Sequence, residues 1–237
     1  MPVTLESFPP DSLAIIIGAS GGIGAALTDT LRGSGHFAEV MGLSRSLTGL
    51  DLTNERTIAA AAQTASATGM PVRLVIVATG VLHNEAMRPE KTWRQLDPAA
   101  LATSFAINAT GPGLVAKHFL PLLPRSGKAV FAALSAKVGS IGDNNLGGWY
   151  GYRAAKAALN QLLHTAAIEL RRTHPEALCL TLHPGTVATS LSGPFTAANH
   201  PADTPKFAAE RLLGVIEQAR PIDSGLLLDH TGLPLPW

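Results

Sequence analysis

Short apolar runs alternate with longer stretches of helical periodicity along this chain. Apolar runs at 13–17, 39–43, 73–77, 128–134, 178–182 and 225–228 predict β-strands. The stretches between them predict helices at 22–31, 54–67, 98–123, 150–172 and 205–218. Strands that alternate with helices are typical of a parallel sheet with helices on both faces, and nearly continuous apolar strands fit burial on both sides.

Three connections depart from a simple alternation. The predicted helix 98–123 contains Gly111-Pro112-Gly113, which predicts a bend inside it. Asp51-Leu52 follows the second strand so soon that the second crossover helix is expected to be missing or very short. Segment 190–204 is rich in small residues and proline, and it is longer than the usual connection between a strand and a helix. We interpret it as a lid over a substrate, the alternative being a loop without a role.

Composition restricts the class of protein. The 237 residues, 46% hydrophobic and 15% charged, suit one domain that spans 1–237 and buries a large core. A net charge of +1 gives no strong attraction to nucleic acid or to an anionic membrane. The eight histidines lack metal-ligand spacing, and the single cysteine forms no intrachain disulfide. No targeting segment is recognisable and the apolar runs look too short to cross a bilayer, so we expect no metal, no membrane partner and a cytoplasmic location.

A glycine-rich turn joins the first strand to the first helix. Glycine lets the backbone turn tightly and approach a pyrophosphate, and the helix N-terminus offers unpaired N–H groups to that anion. The spacing Gly-x-x-x-Gly-x-Gly differs from the Gly-x-Gly-x-x-Gly of longer dehydrogenases. The residues predicted to bind a dinucleotide here are Gly18, Ser20, Gly21, Gly22, Ile23 and Gly24.

The end of the second strand indicates which dinucleotide is bound. In folds that prefer NAD an acidic residue ends this strand and binds the ribose 2′-hydroxyl, whereas here the strand ends in Ser44-Arg45. A guanidinium pairs with a 2′-phosphate, which a carboxylate would repel. The pattern favours NADPH over NADH, although Arg45 could also be an ordinary solvated loop arginine.

Tyr152 and Lys156 lie four residues apart and therefore share one face of their predicted helix. A phenol with a pKa near ~10 is a poor acid–base catalyst at neutral pH, and a nearby ammonium favours the phenolate. The pair suits proton transfer to or from a substrate oxygen. Such a pair is common by chance, and its place downstream of a nucleotide-binding turn is what gives it weight.

Taken together, these motifs resemble the short-chain dehydrogenase/reductase family over nearly the whole chain. The motifs are Gly18-x-x-x-Gly22-x-Gly24, Asp51-Leu52-Thr53, Asn108 in Ile-Asn-Ala-Thr-Gly, Ser135 before Lys137-Val-Gly, Tyr152-x-x-x-Lys156, and Pro184-Gly-Thr-Val-Ala-Thr189. The stretch before and around Tyr152 and the ending Pro236-Trp237 resemble the bacterial C-factor branch, which is similar to small carbonyl reductases. The resemblance implies a single-domain Rossmann fold with a doubly wound, mostly parallel sheet of about seven strands.

The resemblance also implies roles for individual residues. Tyr152 would be the general acid in reduction and the base in oxidation, and Lys156 would lower its pKa and bind the nicotinamide ribose. Asn108 would hold a water that links Lys156 to solvent. Further cofactor contacts are implied for Asp51, Leu52, Ala78, Thr79, Gly80, Pro184, Gly185, Val187 and Thr189. The partners implied are a small carbonyl or alcohol substrate and a second copy of the chain, in a homodimer or homotetramer.

The chain departs from the family pattern at three places. Val77-Ala78-Thr79-Gly80 stands where the family has an asparagine-rich turn, and Ile17 stands where a threonine usually precedes the first glycine. Counted back from Gly139, the position of the catalytic serine falls on Ala136. Ser135 lies one residue earlier, and neighbouring strand residues point to opposite faces, so a local bulge would have to restore it. We predict that Ser135 binds the substrate, with Ser140 as a weaker substitute.

The sequence thus predicts an NADPH-dependent oxidoreductase that passes a hydride between nicotinamide and a carbonyl or alcohol. The alternative is a catalytically weak NAD(P)-binding signalling or sensor protein of the same fold, which Ala136 keeps open. A Rossmann-like methyltransferase fits less well, because that class generally has an acidic residue where this chain has Ser44-Arg45.

Overall fold

The computed structural model describes residues 3–85, 87–195 and 202–237, and in these residues six parallel strands form one sheet. The strands are β1 (Leu13–Ile17), β2 (Glu39–Leu43), β3 (Val72–Val77), β4 (Ala129–Leu134), β5 (Ala177–His183) and β6 (Leu227–Asp229). Their order is β2-β1-β3-β4-β5-β6. Because β2 lies on one side of β1 and all later strands lie on the other, the chain reverses direction across the sheet between β1 and β3. Ligands of open parallel sheets bind at this switch point, beyond the carboxyl ends of the strands.

Helices cover both faces of the sheet. They are α1 (Gly22–Ser34), α2 (Arg45–Thr48), α3 (Glu55–Ala67), α4 (Pro98–Phe105), α5 (Gly111–Phe119), α6 (Tyr150–Leu170) and α7 (Pro205–Gln218). Successive strand residues point to opposite faces, so Phe131 belongs to the core layer that includes residues of α3, α5 and α6, while Val130 belongs to the layer that includes residues of α1 and α7. The predicted layers of helix, sheet and helix are thereby confirmed.

The sheet has one strand fewer than the seven predicted. The expectation of a very short second crossover helix holds, since α2 has only four residues. Parallel strands need a connection of about a dozen residues or more, and only six residues separate the end of β2 from Leu50. The segment around Leu50 and Leu52 is therefore buried in the core without forming a strand.

The predicted bend in the helical stretch 98–123 takes the form of a π-helical turn. This turn, Ala106–Thr110, joins α4 to α5 just before Gly111 and Pro112. The whole stretch Pro98–Leu122 is long and apolar enough to cross a membrane by length and composition, which corrects the prediction that every apolar run is too short. Val115 and Phe119 of this stretch lie fully buried in the core, so packing on the sheet accounts for part of its apolar character.

Candidate active site

The glycine turn after β1 is shaped so closely that side chains would not fit. Gly18 has a φ of +93°, and a Cβ there would lie 2.8 Å from the carbonyl oxygen of Ala78. A Cβ on Gly24 would lie 2.1 Å from the carbonyl oxygen of Gly18. Ser20, Gly21 and Gly22 are exposed, and Gly21 caps α1 without a side-chain bond. The first N–H groups of α1 thus face an open turn that can hold a pyrophosphate.

The end of β2 lies directly beside this turn. The amides of Gly18 and Ala19 donate hydrogen bonds to the carbonyl oxygen of Leu43, at 2.7 and 3.1 Å. The next residue, Ser44, caps α2 by accepting a bond from the amide of Leu47 at 3.2 Å, and Arg45 begins α2 with an exposed side chain. Arg45 therefore presents an exposed guanidinium two residues beyond the strand end that contacts the glycine turn.

Asp51 is held as a carboxylate on the same side of the sheet. Its Oδ1 accepts hydrogen bonds from the hydroxyl of Thr53 at 2.7 Å and from the amide of Thr53 at 2.8 Å. These bonds, with a smaller contribution from the positive charge of Arg45, lower the pKa of Asp51. Leu52, the next residue, is buried against the first residue of α5, Gly111.

The carboxyl end of β3 leads into the centre of the site. The amide of Ala78 donates to the carbonyl oxygen of Ile17 at 2.7 Å, which ties this end to β1. The hydroxyl of Thr79 is buried and finds no hydrogen-bond partner among the described residues. A Cβ on Gly80 would lie 3.3 Å from Oδ1 of Asn108 and 3.8 Å from Nζ of Lys156. The missing side chain of Gly80 therefore leaves space where the predicted proton-relay residues meet.

Asn108 lies in the π-helical turn and is fully buried. Its Oδ1 accepts from the amide of Val81 at 2.9 Å, and its Nδ2 donates to the carbonyl oxygen of Val81 at 2.8 Å and to the hydroxyl of Ser104 at 3.2 Å. These three bonds fix the side chain beside Gly80. π-Helical turns occur frequently at functional sites, and this one positions a side chain that sequence reasoning selected. Its role in a proton relay stays a prediction.

The structure brings Tyr152 and Lys156 together on the first turns of α6. Nζ of Lys156 lies 5.7 Å from the centroid of the Tyr152 ring and donates to the carbonyl oxygen of Leu134 at 2.7 Å. Lys156 is only 2% exposed, and this burial lowers its pKa to about 7. Burial raises the pKa of Tyr152 to about 12. Loss of solvation accounts for the raised pKa of Tyr152, and the implied role of Lys156 in lowering it stays a prediction.

Ser135 follows β4 and continues its alternation toward α6. Its hydroxyl donates to Oδ1 of Asn160 at 2.7 Å, and both residues are buried. Ala136 is the partly exposed residue, and the hydroxyl of Ser140 accepts from the amide of Asp143 at 3.1 Å. The single hydroxyl proton of Ser135 is thus already used inside the fold. The catalytic role of Ser135 stays a prediction.

The segment after β5 closes the site from the other side. Gly185 has a φ of +82°, and a Cβ there would lie 3.3 Å from Nδ1 of His230. Farther along, Val187 forms a bridge with Asp203 and is buried. Cγ2 of Thr189 lies where a Cβ on Gly22 would come within 2.9 Å. Of these predicted residues, Thr189 therefore lies against the start of α1, next to the glycine turn, whereas Gly185 lies against His230.

A row of four aromatic rings crosses the mouth of the site. The ring of His83 lies 5.3 Å from that of Phe195, which lies 5.5 Å from Trp149, which in turn lies 6.3 Å from Tyr152. Nε2 of His83 also contacts the carbonyl oxygen of Ser190 at 3.1 Å. No sequence motif marks His83 as a residue of the site. Within the predicted lid 190–204, residues 196–201 lie outside the described residues.

The geometry therefore places a nucleotide turn and a Tyr–Lys pair at one edge of a parallel sheet. A family model described as enoyl-(acyl carrier protein) reductase matches residues 19–218, which is most of the chain. The chain belongs to the short-chain dehydrogenase/reductase family. Membership confirms the family resemblance and makes the protein an oxidoreductase enzyme.

Two curated relatives of this short-chain dehydrogenase/reductase match long parts of it. The C-signal protein of Myxococcus xanthus is 36% identical over 143 residues, which cover 60% of this chain and 81% of that protein. A 1-hydroxy-2-glutathionyl-2-methyl-3-butene dehydrogenase of Rhodococcus sp. (strain AD45) is 29% identical over 236 residues, 95% of this chain and 100% of that protein. The similarity to C-signal confirms the predicted C-factor-like branch.

Solved structures of carbonyl reductases share the fold. The NADPH-bound carbonyl reductase from chicken fatty liver superposes with a TM-score of 0.83 at 24% identity, covering 99% of this chain and 98% of that one. Carbonyl reductase Sniffer of D. melanogaster superposes with a TM-score of 0.78 at 21% identity, covering 96% and 99%. At these identities the likeness confirms the doubly wound α/β fold.

Proposed function

We propose that the protein reduces the carbonyl group of a small molecule to an alcohol with NADPH, and that Tyr152 is the general acid. The observation that carries this proposal is the convergence of Lys156 and Asn108 at the open space beside Gly80, with the Tyr152 ring against Lys156. This convergence lies at the carboxyl edge of the sheet, beside the switch point, where a bound nicotinamide would be expected.

The residues around the switch point fit NADPH. The exposed turn at Gly21 and Gly22 suits the pyrophosphate, and the exposed guanidinium of Arg45 suits a 2′-phosphate through charge-assisted hydrogen bonds. Pro184 to Thr189 border the opposite side. The neighbour from chicken fatty liver is described as NADPH-bound, which supports the same choice here. When bound, the nicotinamide supplies the hydride that reduces the carbonyl carbon.

Tyr152 is prepared to donate a proton. With a pKa raised to about 12 by burial, its phenol stays protonated at neutral pH and can give its proton to the developing alkoxide oxygen. Lys156, whose pKa is lowered to about 7 by burial, changes charge near physiological pH and can return a proton toward the phenol. Asn108, fixed by Val81, supports the water through which that proton is replaced.

One observation favours a second candidate function. The hydroxyl proton of Ser135 is engaged by Asn160, and Ala136 has no hydroxyl to offer a substrate carbonyl. A site with this deficit would turn over slowly while still binding the dinucleotide. The alternative is therefore an NAD(P)-binding signalling or sensor protein, and one relative is named C-signal.

We further propose a homodimer formed through helices α5 and α6, with the cytoplasm as its location. A groove of about 740 Å³ runs between these helices, and its lining includes Leu114, Leu120 and Leu162. The outer edge of β6 is unavailable for strand pairing with a second copy, since the C-terminal segment folds back on it and the amide of Leu235 donates to the carbonyl oxygen of Leu227. A homotetramer would need a second surface.

Turnover of a panel of aldehydes, ketones and quinones with NADPH and with NADH tests the proposal. We expect NADPH oxidation that Tyr152→Phe reduces by at least about 100-fold while the Kd of NADPH changes less than about threefold. Tyr150→Phe, which changes the neighbouring tyrosine, is the matched control and should retain activity. Binding of NADPH without turnover by the unmodified protein would favour the sensor, and retained activity in Tyr152→Phe would refute the mechanism.

A further inference from the structure

The helix that carries Tyr152 begins in an unusual way. Its N-cap is Trp149, which makes no side-chain capping bond and has a φ of +52°. Among the described residues Trp149 is the only non-glycine residue with positive φ. Helix N-termini leave several N–H groups unpaired, and serine, threonine, aspartate or asparagine usually caps them. The start of α6 therefore needs a partner from elsewhere in the chain.

Glu90 supplies that partner from about sixty residues earlier in the sequence. Its carbonyl oxygen accepts from the amide of Trp149 at 2.5 Å, and its Oε2 accepts from the amide of Gly151 at 3.1 Å. Glu90 is only 8% exposed, so this bond is shielded from water. A carboxylate at a helix N-terminus is also favoured by the helix dipole.

The surroundings of Gly151 are built to receive this carboxylate. A Cβ on Gly151 would lie 2.9 Å from Oε1 of Glu90 and 3.2 Å from Cδ2 of Leu101, so only glycine allows the approach. The carbonyl oxygen of Gly151 is held as well, because it accepts from the buried hydroxyl of Ser104 at 3.2 Å. Ser104 in turn accepts from Nδ2 of Asn108 at 3.2 Å. Both polar groups of Gly151 are thus tied into the site.

The segment that carries Glu90 is itself fixed. The amide of Lys91 donates to Oε1 of Gln95 at 2.7 Å, and Thr92 and Gln95 form a capping box on the short 3-10 turn Trp93–Gln95. The bonds among Lys91, Thr92 and Gln95 therefore hold the segment that directly follows Glu90.

We propose that Glu90 is a positioning residue for Tyr152, acting through Gly151. Tyr152 follows Gly151 directly, and the ring of Trp149 lies against the ring of Tyr152 at 6.3 Å between centroids. By fixing the first turn of α6, Glu90 sets where the phenol lies relative to Lys156 and Asn108. This inference rests on the proposed function, because the position of Tyr152 affects turnover only if Tyr152 transfers a proton.

Two variants of similar size separate the hydrogen bond from the charge. Glu90→Met keeps the volume and removes the acceptor, whereas Glu90→Gln removes the charge and keeps an oxygen that can accept from the amide of Gly151. The matched control is Glu39→Met, because Glu39 is exposed and begins β2 at the opposite edge of the sheet. We would measure kcat, KM, the Kd of NADPH and amide hydrogen exchange over residues 149–153.

We expect Glu90→Met to lower kcat by about 10- to 100-fold, because small displacements of reacting groups cost rates of this size. The Kd of NADPH should change less than about twofold, and exchange over residues 149–153 should rise. Glu90→Gln should restore kcat to within about threefold of the unmodified protein. A purely structural role would lower the unfolding temperature and leave the kcat of the folded fraction unchanged.

The outcomes distinguish this inference from the proposed function. If the unmodified protein turns over and Glu90→Met matches Glu39→Met in kcat, the role of Glu90 is refuted and the proposed function stands. If Glu90→Gln is as slow as Glu90→Met, the inference is also refuted, because the hydrogen bond to Gly151 then does not determine kcat. An unmodified protein without turnover refutes the proposed function itself. Should Glu90→Met not fold, Glu90→Asp, which withdraws the acceptor by one methylene, replaces it with the same expectation.

Discussion

Burial favours the neutral forms of two side chains at the centre of the site. Burial raises the pKa of Tyr152 to about 12 and lowers that of Lys156 to about 7. A neutral phenol suits the reductive direction, because it starts with the proton that the alkoxide must receive. The arrangement has a cost in stability, since the unfolded chain would carry Lys156 as a fully solvated ammonium.

Replacing Lys156 with methionine should therefore stabilise the folded protein while it removes activity. Between pH 7 and 10.5 the unfolded chain binds a proton at Lys156 that the folded chain does not, so the penalty is full below pH 7 and vanishes near 10.5. We expect Lys156→Met to raise the free energy of unfolding at pH 6.5 by up to about 4 kcal/mol, with a smaller gain at pH 9.5. Urea denaturation at the two pH values measures this, and a gain that is equal at both would contradict it.

Ser135, directly after β4, shows that a shift of one residue along a strand decides which face a side chain occupies, and the sequence alone does not predict it. The motif count placed the family position on Ala136 and left Ser135 as the nearest hydroxyl. Only the structure shows that Ser135 faces α6 and donates to Asn160, because that contact joins residues 25 apart in sequence. No local pattern reports such a pairing.

Ser135→Ala tests whether this serine serves the substrate or the fold. Because the change leaves Oδ1 of Asn160 without its donor, we expect a loss of about 1–3 kcal/mol in the free energy of unfolding. If the hydroxyl serves only Asn160, kcat/KM should fall less than about threefold. Ala136→Ser, which places a hydroxyl at the family position, should raise kcat/KM. A fall of 100-fold in Ser135→Ala would instead establish Ser135 as the substrate-binding residue.

At the scale of elements, hydrophobic periodicity correctly predicted the strand and helix bounds that depend on neighbouring residues alone. The bounds of β1, β2 and α7 agree with the predicted 13–17, 39–43 and 205–218, because apolar runs, glycines and a proline mark those ends. The prediction of a seventh strand was wrong for a reason that the sequence itself contains. The six residues between β2 and Leu50 are too few for a connection between parallel strands. The positions of Glu90 and His83 could not be predicted, since both depend on contacts between distant segments.

The turn between β1 and α1 should be the element least tolerant of a side chain. In Gly24→Ala the new Cβ meets the backbone of Gly18 at 2.1 Å, so the turn must move. We expect a loss of at least about 2 kcal/mol in stability and a weakening of NADPH binding by more than about tenfold. Gly33→Ala is the control in the same helix, because its Cβ meets nothing within 4 Å and alanine favours helix by about 0.5–1 kcal/mol. Thermal unfolding and NADPH titration of both variants decide this, and equal behaviour would be evidence against a tight turn.

At the scale of the whole molecule, the edge strand β6 and the face formed by α5 and α6 differ in how far they are exposed to solvent. The edge at β6 is covered by the chain's own C-terminal segment, while the face of α5 and α6 keeps apolar side chains in contact with solvent. Leu162 of α6, which lines the groove between these helices, is 45% exposed. Exposed apolar surface of this kind is typical of an interface, and the same face includes part of the stretch that is apolar enough to suit a membrane.

A lysine at position 162 should separate the copies of a dimer formed on this face. A C2 dimer would bring Leu162 against its own symmetry mate or a near neighbour, and a stable interface buries about 800 Å² on each partner. Burying an unpaired ammonium there would cost more than the lost leucine contact, so we expect Leu162→Lys to be a monomer at micromolar concentration by light scattering. Ile222→Lys is the control, because Ile222 is 75% exposed and lies in the turn after α7, away from the groove. The Ile222→Lys variant should be a dimer, as the unmodified protein should be. An unmodified protein that is already monomeric, or a Leu162→Lys variant that still dimerises, would show that α5 and α6 are not the interface, and the exposed apolar face would then need another occupant.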